Sequence, residues 1–438
     1  MSTQASERGI TPPQLPENQQ TKETLLDSTH ALLAPGQGNQ RRGMGLDLAN
    51  SSGAARGVWK KVDEVLQPDL GYLLSEKVWR GSEADLSDNA QFAVITDALA
   101  RKAALEEAGL LGKPGWHGGN SLGLITALVN AGSLSVDGAA HLANGRREAI
   151  GLVINEAPKT TMVSLEEVDE ARVEEVKKKN NLVTCLINTD SQVVIGGRVE
   201  DIEIAVQELK GMGERKVFPM EVNAAFHSEH MRKAVPFWTK VVSSAPIEVP
   251  KSGIVVGAST GEVRKLLTIE DIKTELILQL TNTERYRDVA KFLRLQGVTQ
   301  MTELNAIGRL THMNHSIFGE GSRQRIALPT DTKIAVANRW VAPVEVMEEK
   351  STPSEERVSR DAVKEFYLGW ISDRVGGDPK ELSEEMSFQE GAGLDSADIM
   401  ALRAAIRAKY GRNIPDEEAA KILTIEAGID ATYKLMNS

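Results

Sequence analysis

The sequence predicts an α/β fold for most of the chain and a separate helical module at its C-terminal end. Three observations lead to this prediction. A short apolar strand at 31–34 runs into a glycine-rich turn at 35–38, and a serine framed by glycines at 118–123 directly precedes an apolar helix. A charged, proline-containing stretch at 342–357 separates these elements from a run of amphipathic helices. We therefore expect a linker between two folded parts.

The composition limits the classes of partner. The 438 residues carry a net charge of -11, which argues against nucleic acid and anionic membranes, because both bind clustered Lys and Arg. No apolar run reaches the roughly 18 residues that a membrane-spanning helix needs, and no signal peptide is recognisable. The single cysteine, Cys185, excludes an intrachain disulfide and is typical of a small core residue in a reducing compartment. We expect a cytoplasmic protein without nucleic-acid or membrane partners.

The first part of the chain differs in composition from the remainder. Residues 1–28 are rich in Gln, Glu, Ser, Thr and Pro and have almost no periodic apolar positions, which predicts a disordered leader. A large domain at 29–341 comes next, in which the apolar periodicity predicts a long helix at 86–104.

Residues 151–220 form a distinct segment within this large domain. A strand-like run is followed by a charged helix at 165–179, strands at 182–187 and 192–195, and a helix at 199–212. This β-α-β-β-α-β order in about 70 residues is typical of a ferredoxin-like unit. We therefore predict a small ferredoxin-like subdomain here.

The stretch at 118–123 has the pattern of a nucleophile elbow, a tight turn between a strand and a helix. The chemistry needs glycines around Ser121, because a Cβ two positions away would collide with the neighbouring backbone. The helix N-terminus after the turn offers unpaired N–H groups, which stabilise an oxyanion. A plain turn in which Ser121 only caps the helix is the alternative. The preceding residues 115–118 also lack the β-branched run that a buried parallel strand usually has.

Four separated motifs together resemble one family of enzymes. They are the Pro-Gly-Gln-Gly turn at 35–38, the glycine-framed Ser121, an arginine 25 positions farther on at Arg146, and the Phe-His-Ser run at 226–228. In this order and spacing they resemble malonyl-CoA:acyl carrier protein transacylases, and the similarity extends over residues 32–310. The resemblance implies an α/β-hydrolase-like acyltransferase core that contains the ferredoxin-like subdomain.

The resemblance also implies a role for each matching residue. Ser121 attacks the thioester of malonyl-CoA, and His227 accepts its proton as the general base. The backbone carbonyl of Gln279 orients the histidine, and the backbone N–H groups of Gln37 and Leu122 form the oxyanion hole. The implied reaction is ping-pong, in which CoA leaves before a pantetheine thiol takes the malonyl group.

Two further residues define the acyl group in this resemblance. Arg146 matches the residue that binds the free carboxylate of the malonyl group, because a buried guanidinium needs an anionic partner. Its neighbour Arg147 is the alternative for this role. Phe226 matches the residue that favours malonyl over methylmalonyl groups, and its ring is equally suited to core packing. His312 and His315 have no third ligand in the sequence, so we predict no metal site.

The chain departs from the family pattern at three places. Asn120 stands where the family usually has histidine, Leu124 stands where it has glutamate, and a later Gly-Pro-Gly is missing at 305–307. Neither Asn120 nor Leu124 is the base, so we expect the activity to persist. The alternatives are a hydrolase that removes stalled acyl groups from carriers, and an inactive docking or scaffold protein.

Residues 358–438 contain a Gly-Leu-Asp-Ser run at 393–396, followed by apolar residues at helical spacing. They resemble an acyl carrier protein, a four-helix bundle, and the resemblance implies that Ser396 carries a covalent 4′-phosphopantetheine. A helix cap is the alternative role for this serine. The implied partners are malonyl-CoA, acyl carrier proteins (its own or others), a ketosynthase or polyketide synthase modules, and a phosphopantetheinyl transferase.

These observations predict an enzyme that moves a malonyl group from a CoA thioester to the phosphopantetheine thiol of an acyl carrier protein, in polyketide or fatty-acid biosynthesis. The acceptor is expected to be the carrier domain of the same chain. A flexible linker of about 16 residues has a root-mean-square reach of roughly 20 to 24 Å, and the pantetheine arm adds to it. Transfer within one chain would then proceed at a high effective concentration.

Overall fold

The computed structural model describes residues 26–155, 158–220, 222–329, 333–343, 359–375 and 422–437, with shorter stretches at 382–388, 391–392, 394, 402, 405–406 and 409–410. It divides the chain into two compact units, Met1–Val344 and Glu345–Ser438. Residues 1–25 of the predicted leader, nearly all of the predicted linker, and Ser396 lie outside the described residues. The predicted end of the leader at residue 28 was wrong, because Asp27 and Ser28 already belong to the first strand, which pairs with its neighbour in the sheet.

The strands alternate with helices along the first unit. In chain order the strands are β1 (Asp27–Ala34), β2 (Pro114–Gly119), β3 (Thr160–Glu166), β4 (Val183–Ile187), β5 (Gln192–Arg198), β6 (Val217–Pro219), β7 (Ile254–Gly257), β8 (Arg264–Leu266), β9 (Gln300–Glu303), β10 (Ser322–Ala327) and β11 (Ala335–Val341).

The helices of both units are numbered in the same way. They are α1 (Leu46–Ser51), α2 (Gly53–Leu70), α3 (Leu74–Arg80), α4 (Glu83–Asp88), α5 (Ala90–Glu107), α6 (Gly123–Asn130), α7 (Val136–Ile154), α8 (Glu170–Lys179), α9 (Val199–Gly211), a 3₁₀ helix (Glu229–Ala234), α10 (Val235–Ser244), α11 (Ile269–Leu278), α12 (Tyr286–Leu295), α13 (Arg309–Phe318), α14 (Arg360–Val375) and α15 (Ile425–Met436).

Within the described residues the strands of the large domain form a seven-stranded sheet in the order β10-β11-β9-β1-β2-β7-β8. Its central strands β9, β1, β2 and β7 are parallel, and β8, β10 and β11 pair antiparallel at the edges. Successive side chains of β1 face opposite sides of the sheet. Leu32 packs in the cluster of Trp59 and Leu105, from α2 and α5, whereas Leu33 packs in the cluster of Tyr286, from α12. Helices therefore cover both faces.

The strand before the elbow, β2, is fully buried and pairs in parallel with β1 and β7. Its sequence lacks β-branched residues because close packing selects glycine instead. A Cβ on Gly115 would lie 2.7 Å from the Asp27 carbonyl oxygen, and a Cβ on Gly119 would lie 2.3 Å from the carbonyl carbon of Gly123. The absence of a β-branched run was therefore no sign against a strand.

The small subdomain has the predicted β-α-β-β-α-β order. Its four strands form an antiparallel sheet in the order β4-β5-β3-β6, which is the ferredoxin-like arrangement. Its limits differ from the prediction, because α7 continues to Ile154 and β3 begins only at Thr160. The predicted helix start at Leu165 was wrong, since that residue lies in β3. Helix α8 begins later because Asp169 caps it by accepting from the Arg172 N–H at 3.0 Å.

The long helix predicted at 86–104 is divided into α4 and α5 at Asn89. The Asn89 amide donates to the Asp85 carbonyl at 2.8 Å, and its oxygen accepts from the Tyr72 hydroxyl at 3.0 Å. The Asn89 N–H still donates to the Asp85 carbonyl at 3.2 Å, but Asn89 itself has a φ of −105° and a ψ of 8°, outside helical geometry, so α4 ends before it and α5 begins after it. Helix α5 then runs past the predicted end to Glu107.

The C-terminal unit is built around one apolar cluster. Val363 and Tyr367 of α14 pack with Ile425 and Ile429 of α15, and Leu402 joins them. The residues between α14 and α15 are described only in part. The described part is helical and has an apolar core of its own.

Candidate active site

The turn from β2 into α6 holds Ser121 in a strained conformation. Its φ angle is 52°, in the left-handed region that residues other than glycine rarely adopt. Gly123 is required by the same turn, because a Cβ there would lie 2.2 Å from the Ala34 carbonyl oxygen. The turn at 35–38 packs directly on this elbow, since a Cβ on Gly36 would lie 2.7 Å from the Asn120 carbonyl oxygen. The turn thus has the geometry of a nucleophile elbow.

Ser121, His227 and Gln279 form a continuous relay of hydrogen bonds. His227 Nδ1 lies 2.7 Å from the Gln279 carbonyl oxygen, and Nε2 lies 2.7 Å from Ser121 Oγ. Because a carbonyl oxygen only accepts, Nδ1 carries the proton and Nε2 accepts from the serine hydroxyl. The three residues come from the elbow, the loop before the 3₁₀ helix, and the end of α11.

Burial keeps the histidine neutral. His227 is 4% exposed, and its pKa is lowered to about 3, first by loss of solvent and then by the positive charge of Arg146. The contact with the Gln279 carbonyl opposes this shift. At neutral pH the ring is therefore free to accept a proton from the serine.

Arg146 lies on α7 and brings a buried cation to the serine. Its Nη2 is 3.5 Å from Ser121 Oγ, and its Nη1 donates to Gln91 Oε1 at 2.9 Å. Burial lowers the pKa of Arg146 to about 10, so the guanidinium remains charged at neutral pH. The neighbouring Arg147 points elsewhere, with its guanidinium bonded to Asn144 Oδ1. Of the two arginines, Arg146 is the one brought to the serine.

The other predicted residues lie close to the elbow along the chain. Gln37 is exposed in the turn after β1, and Leu122 is fully buried between Ser121 and α6. Phe226 directly precedes His227 and packs half-buried against the apolar clusters of both the core and the small subdomain. The backbone N–H groups of Gln37 and Leu122 remain the candidate oxyanion donors.

Sequence reasoning missed one buried acid at this site. Glu284 is 5% exposed, and its Oε2 accepts from the Gln279 side-chain amide at 3.0 Å. Burial, followed by the nearby charge of Glu275, raises the pKa of Glu284 to about 7. The run Thr-Asn-Thr-Glu-Arg that contains it has the composition of a surface loop, so nothing in the sequence pointed to it.

A cavity of about 810 Å³ opens beside His227. One wall comes from the small subdomain, with Lys177 and Thr184, and the other comes from the core, with Ser259 and Asn282. The cavity therefore gives an extended substrate a route between the two parts of the first unit to the relay.

Comparison with known proteins agrees with this geometry. The model of the acyl transferase domain family matches residues 32–283, more than half of the chain. The chain belongs to the acyl transferase domain family. Residues 370–430 also match the phosphopantetheine attachment site family.

Individual relatives of this acyl transferase cover most of its first unit. It is 31% identical over 279 residues to the malonyl CoA-acyl carrier protein transacylase of Bacillus subtilis, covering 63% of this chain and 86% of the relative. The acyl-carrier-protein S-malonyltransferase of Bartonella henselae is similar in structure, with a TM-score of 0.60 and 27% identity over 66% of this chain and 92% of that one.

A third similar structure contains a malonyl-transacylase together with its partner. It is a type II PKS acyl-carrier protein in complex with its malonyl-transacylase, with a TM-score of 0.61 and 26% identity. The match covers 66% of this chain and 93% of that one. In the described part of the present chain, no helix has both the length and the apolar character to cross a bilayer.

The C-terminal unit fits a covalently attached phosphopantetheine. Attachment requires a serine hydroxyl, and the predicted residue Ser396 lies within the matched range. On one side of it, Leu394 is buried and its N–H donates to the Phe388 carbonyl at 2.8 Å, and on the other side Leu402 is buried in the same cluster. Leu394 and Leu402 therefore both belong to the apolar core of this unit.

Proposed function

We propose that this chain is a malonyl-CoA:acyl carrier protein acyltransferase with Ser121 as the nucleophile and His227 as the general base. The observation that carries the proposal is the 2.7 Å contact of Ser121 Oγ with a neutral imidazole, next to a buried guanidinium at 3.5 Å. The relatives named malonyl transacylases support the same substrate.

In the first half-reaction Ser121 Oγ attacks the thioester carbonyl carbon of malonyl-CoA. His227 Nε2 accepts the hydroxyl proton, and the backbone N–H groups of Gln37 and Leu122 donate to the oxyanion. When the C–S bond breaks, the histidine returns the proton to the sulfur, which leaves malonyl-Ser121 and the CoA thiol. The Gln279 carbonyl stabilises the imidazolium during this exchange.

In the second half-reaction the same residues act in reverse order. The phosphopantetheine arm of a carrier domain supplies the thiol that accepts the malonyl group. His227 takes the proton of that thiol and returns it to Ser121 Oγ when the ester bond breaks. Ser396 is the proposed attachment residue for the arm, and carriers on other chains are the alternative acceptors.

Arg146 gives the proposed preference for carboxyacyl groups. An uncompensated buried guanidinium is costly, and the free carboxylate of a malonyl group provides a bidentate partner for it. An acetyl group has no such carboxylate. Phe226 is proposed to fill the space that the extra methyl of a methylmalonyl group needs.

The proposal extends to the organisation of the protein and its partners. We assign the acyltransferase domain to 27–341, with its small subdomain at about 160–220, the linker to 342–357 and the carrier domain to 358–438. A phosphopantetheinyl transferase is expected to load the carrier, and a ketosynthase or polyketide synthase module to take the malonyl group from it. The proposed setting is cytoplasmic polyketide or fatty-acid biosynthesis.

Intact-protein mass spectrometry after incubation with malonyl-CoA tests this function. The wild-type apo chain should gain one malonyl adduct, and Ser121→Ala should gain none. An adduct that disappears quickly without an acceptor thiol would favour the hydrolase. Absence of the adduct in a wild-type chain that also resists serine-reactive phosphonates would favour the scaffold protein.

A further inference from the structure

Glu284 is a buried acid that the reaction steps above do not use. It lies between α11 and α12, and its carboxylate accepts from the Gln279 side chain, whose own backbone carbonyl accepts from His227. One residue, Gln279, thus connects the acid to the base. A side-chain amide fixed in this way also restrains the carbonyl of the same residue.

The backbone of Glu284 is fastened to the small subdomain. Its N–H donates to the Cys185 carbonyl at 3.0 Å, and its carbonyl accepts from the Ile187 N–H at 2.8 Å, so the segment pairs with β4. The preceding Thr283 donates its hydroxyl to the Thr184 carbonyl at 2.8 Å. The position of the carboxylate is therefore fixed by the pairing of its backbone with β4.

The same carboxylate faces the nucleophile. The backbone N–H of Ser121 lowers the pKa of Glu284 against the effect of burial. Ser121 is in the left-handed region, which is strained for a residue other than glycine. A charge-assisted hydrogen bond to its N–H stabilises the strained turn.

The charges around Glu284 come from several elements. Arg146 on α7 attracts the ionised carboxylate, and Glu275 on α11 repels it. Cys185 on β4 stays neutral because burial raises its pKa to about 12, and His227 stays neutral because its pKa is near 3. Around pH 7 the carboxyl group of Glu284 therefore changes charge while the histidine and the thiol do not.

We propose that Glu284 is a positioning residue whose ionised carboxylate holds Gln279 and the Ser121 backbone, and through them the serine–histidine pair. It also offsets the positive charge of Arg146, which otherwise weakens His227 as a base. Protonation of Glu284 weakens the first effect, because the neutral carboxyl group remains an acceptor without the charge, and removes the second. This inference rests on the proposed function for its role in malonyl transfer, but the reactivity of Ser121 tests it without malonyl-CoA.

The experiment measures the rate of Ser121 labelling by a fluorophosphonate in the full chain, between about pH 5.5 and 8.5, which spans the titration of Glu284. The wild-type rate should rise by about 10-fold through pH 7, as expected for one charge-assisted hydrogen bond. Glu284→Gln should label at a rate that does not change through pH 7 and that equals the wild-type rate at the acid end. Glu284→Met, which loses the acceptor, should label more slowly still.

Glu303→Gln is the matched control. Glu303 is also fully buried with a pKa raised to about 7, but its carboxylate accepts from the N–H and hydroxyl of Thr311, away from the relay. This variant should keep the wild-type rise through pH 7.

Three results would overturn the inference: a rise that persists in Glu284→Gln, a rise that disappears in Glu303→Gln, or a Glu284→Gln variant that only loses thermal stability. Normal labelling with the predicted pH profile but no malonyl adduct would overturn the proposed function alone. A wild-type Ser121 that is not labelled at any pH would overturn both.

Discussion

The site around Ser121 and the C-terminal unit are stabilised in different ways. The site is a chain of buried polar contacts, from Glu284 through Gln279 and His227 to the serine. The C-terminal unit packs apolar side chains from α14 and α15 around one cluster. Directional contacts depend on single atoms, whereas apolar packing depends on volume. Removal of one group from the site is therefore expected to lower the catalytic rate, whereas removal of one group from the C-terminal unit is expected to lower its stability.

Removal of the His227 side chain should have the largest effect on the catalytic rate. His227→Ala should lower the rate of Ser121 acylation by about 10⁴-fold or more, because no other neutral acceptor is brought to the serine by the relay. Thermal unfolding of the chain should change little by comparison. His230→Ala, a nearby half-buried histidine outside the relay, is the control for stopped-flow or quench measurements of acylation. Equal loss in both variants would mean that the site collapses rather than loses its base.

Removal of the cation should have the next largest effect. Arg146→Ala should cost about 2 to 4 kcal/mol of transition-state stabilisation for malonyl transfer and raise the relative rate with acetyl-CoA. Arg147→Ala should keep the malonyl preference, since its guanidinium contacts Asn144. Steady-state kinetics with both thioesters measure the ratio. A loss of preference only in Arg147→Ala would move the carboxylate role by one residue.

A buried polar contact in the C-terminal unit should matter for stability alone. The buried Tyr367 hydroxyl bonds to the Gly428 carbonyl and to Thr432 Oγ1, each at 2.8 Å. Tyr367→Phe should destabilise this unit by about 1 to 2 kcal/mol, because a buried acceptor and hydroxyl lose their partner. Calorimetry measures the loss, and Ser121 acylation should be unchanged. A fall in acylation would show that the two regions are not independent.

A surface contact in the same unit should have the smallest effect. Lys364 and Arg360 contact Glu384 and hold the pKa of its carboxyl below the usual value near 4.5. The stabilisation that these contacts give to the folded unit is fully present above pH 4.5. It is lost as the pH falls through the lower pKa that Glu384 has in the folded state. Glu384→Gln should therefore cost less than about 1 kcal/mol at pH 7 and nothing in strong acid. A large loss at pH 7 would mean that charge, rather than the apolar cluster, stabilises the unit.

The turn at Ser121 could be predicted because its motif is local, whereas the roles of His227, Arg146 and Gln279 were expected from the family resemblance alone. The turn at Ser121 and the order of the small subdomain result from steric rules and from apolar periodicity, which act over a few residues. The start of α8 could not be placed, because Leu165 fits a helical pattern and only the cap at Asp169 decides where the helix begins.

Contacts between residues that are far apart in the chain could not be predicted from the sequence in this way. Glu284 reaches the site because its backbone pairs with β4, about a hundred positions earlier in the chain, and no short pattern records that pairing. The glycines of β2 gave a misleading signal for a related reason. Their neighbours in space, such as Asp27 and Gly123, decide that glycine is needed.

A time course of malonyl occupancy at two serines tests the central claim most directly. The phosphopantetheinylated chain is mixed with malonyl-CoA and quenched, and peptides containing Ser121 and Ser396 are quantified by mass spectrometry over a dilution series. We expect malonyl on Ser121 first and on the Ser396 arm later, at a rate independent of chain concentration, and on neither residue in Ser121→Ala. Malonyl on the Ser396 arm of Ser121→Ala would contradict the account, and loading that slows in proportion to dilution would show a carrier served by other chains.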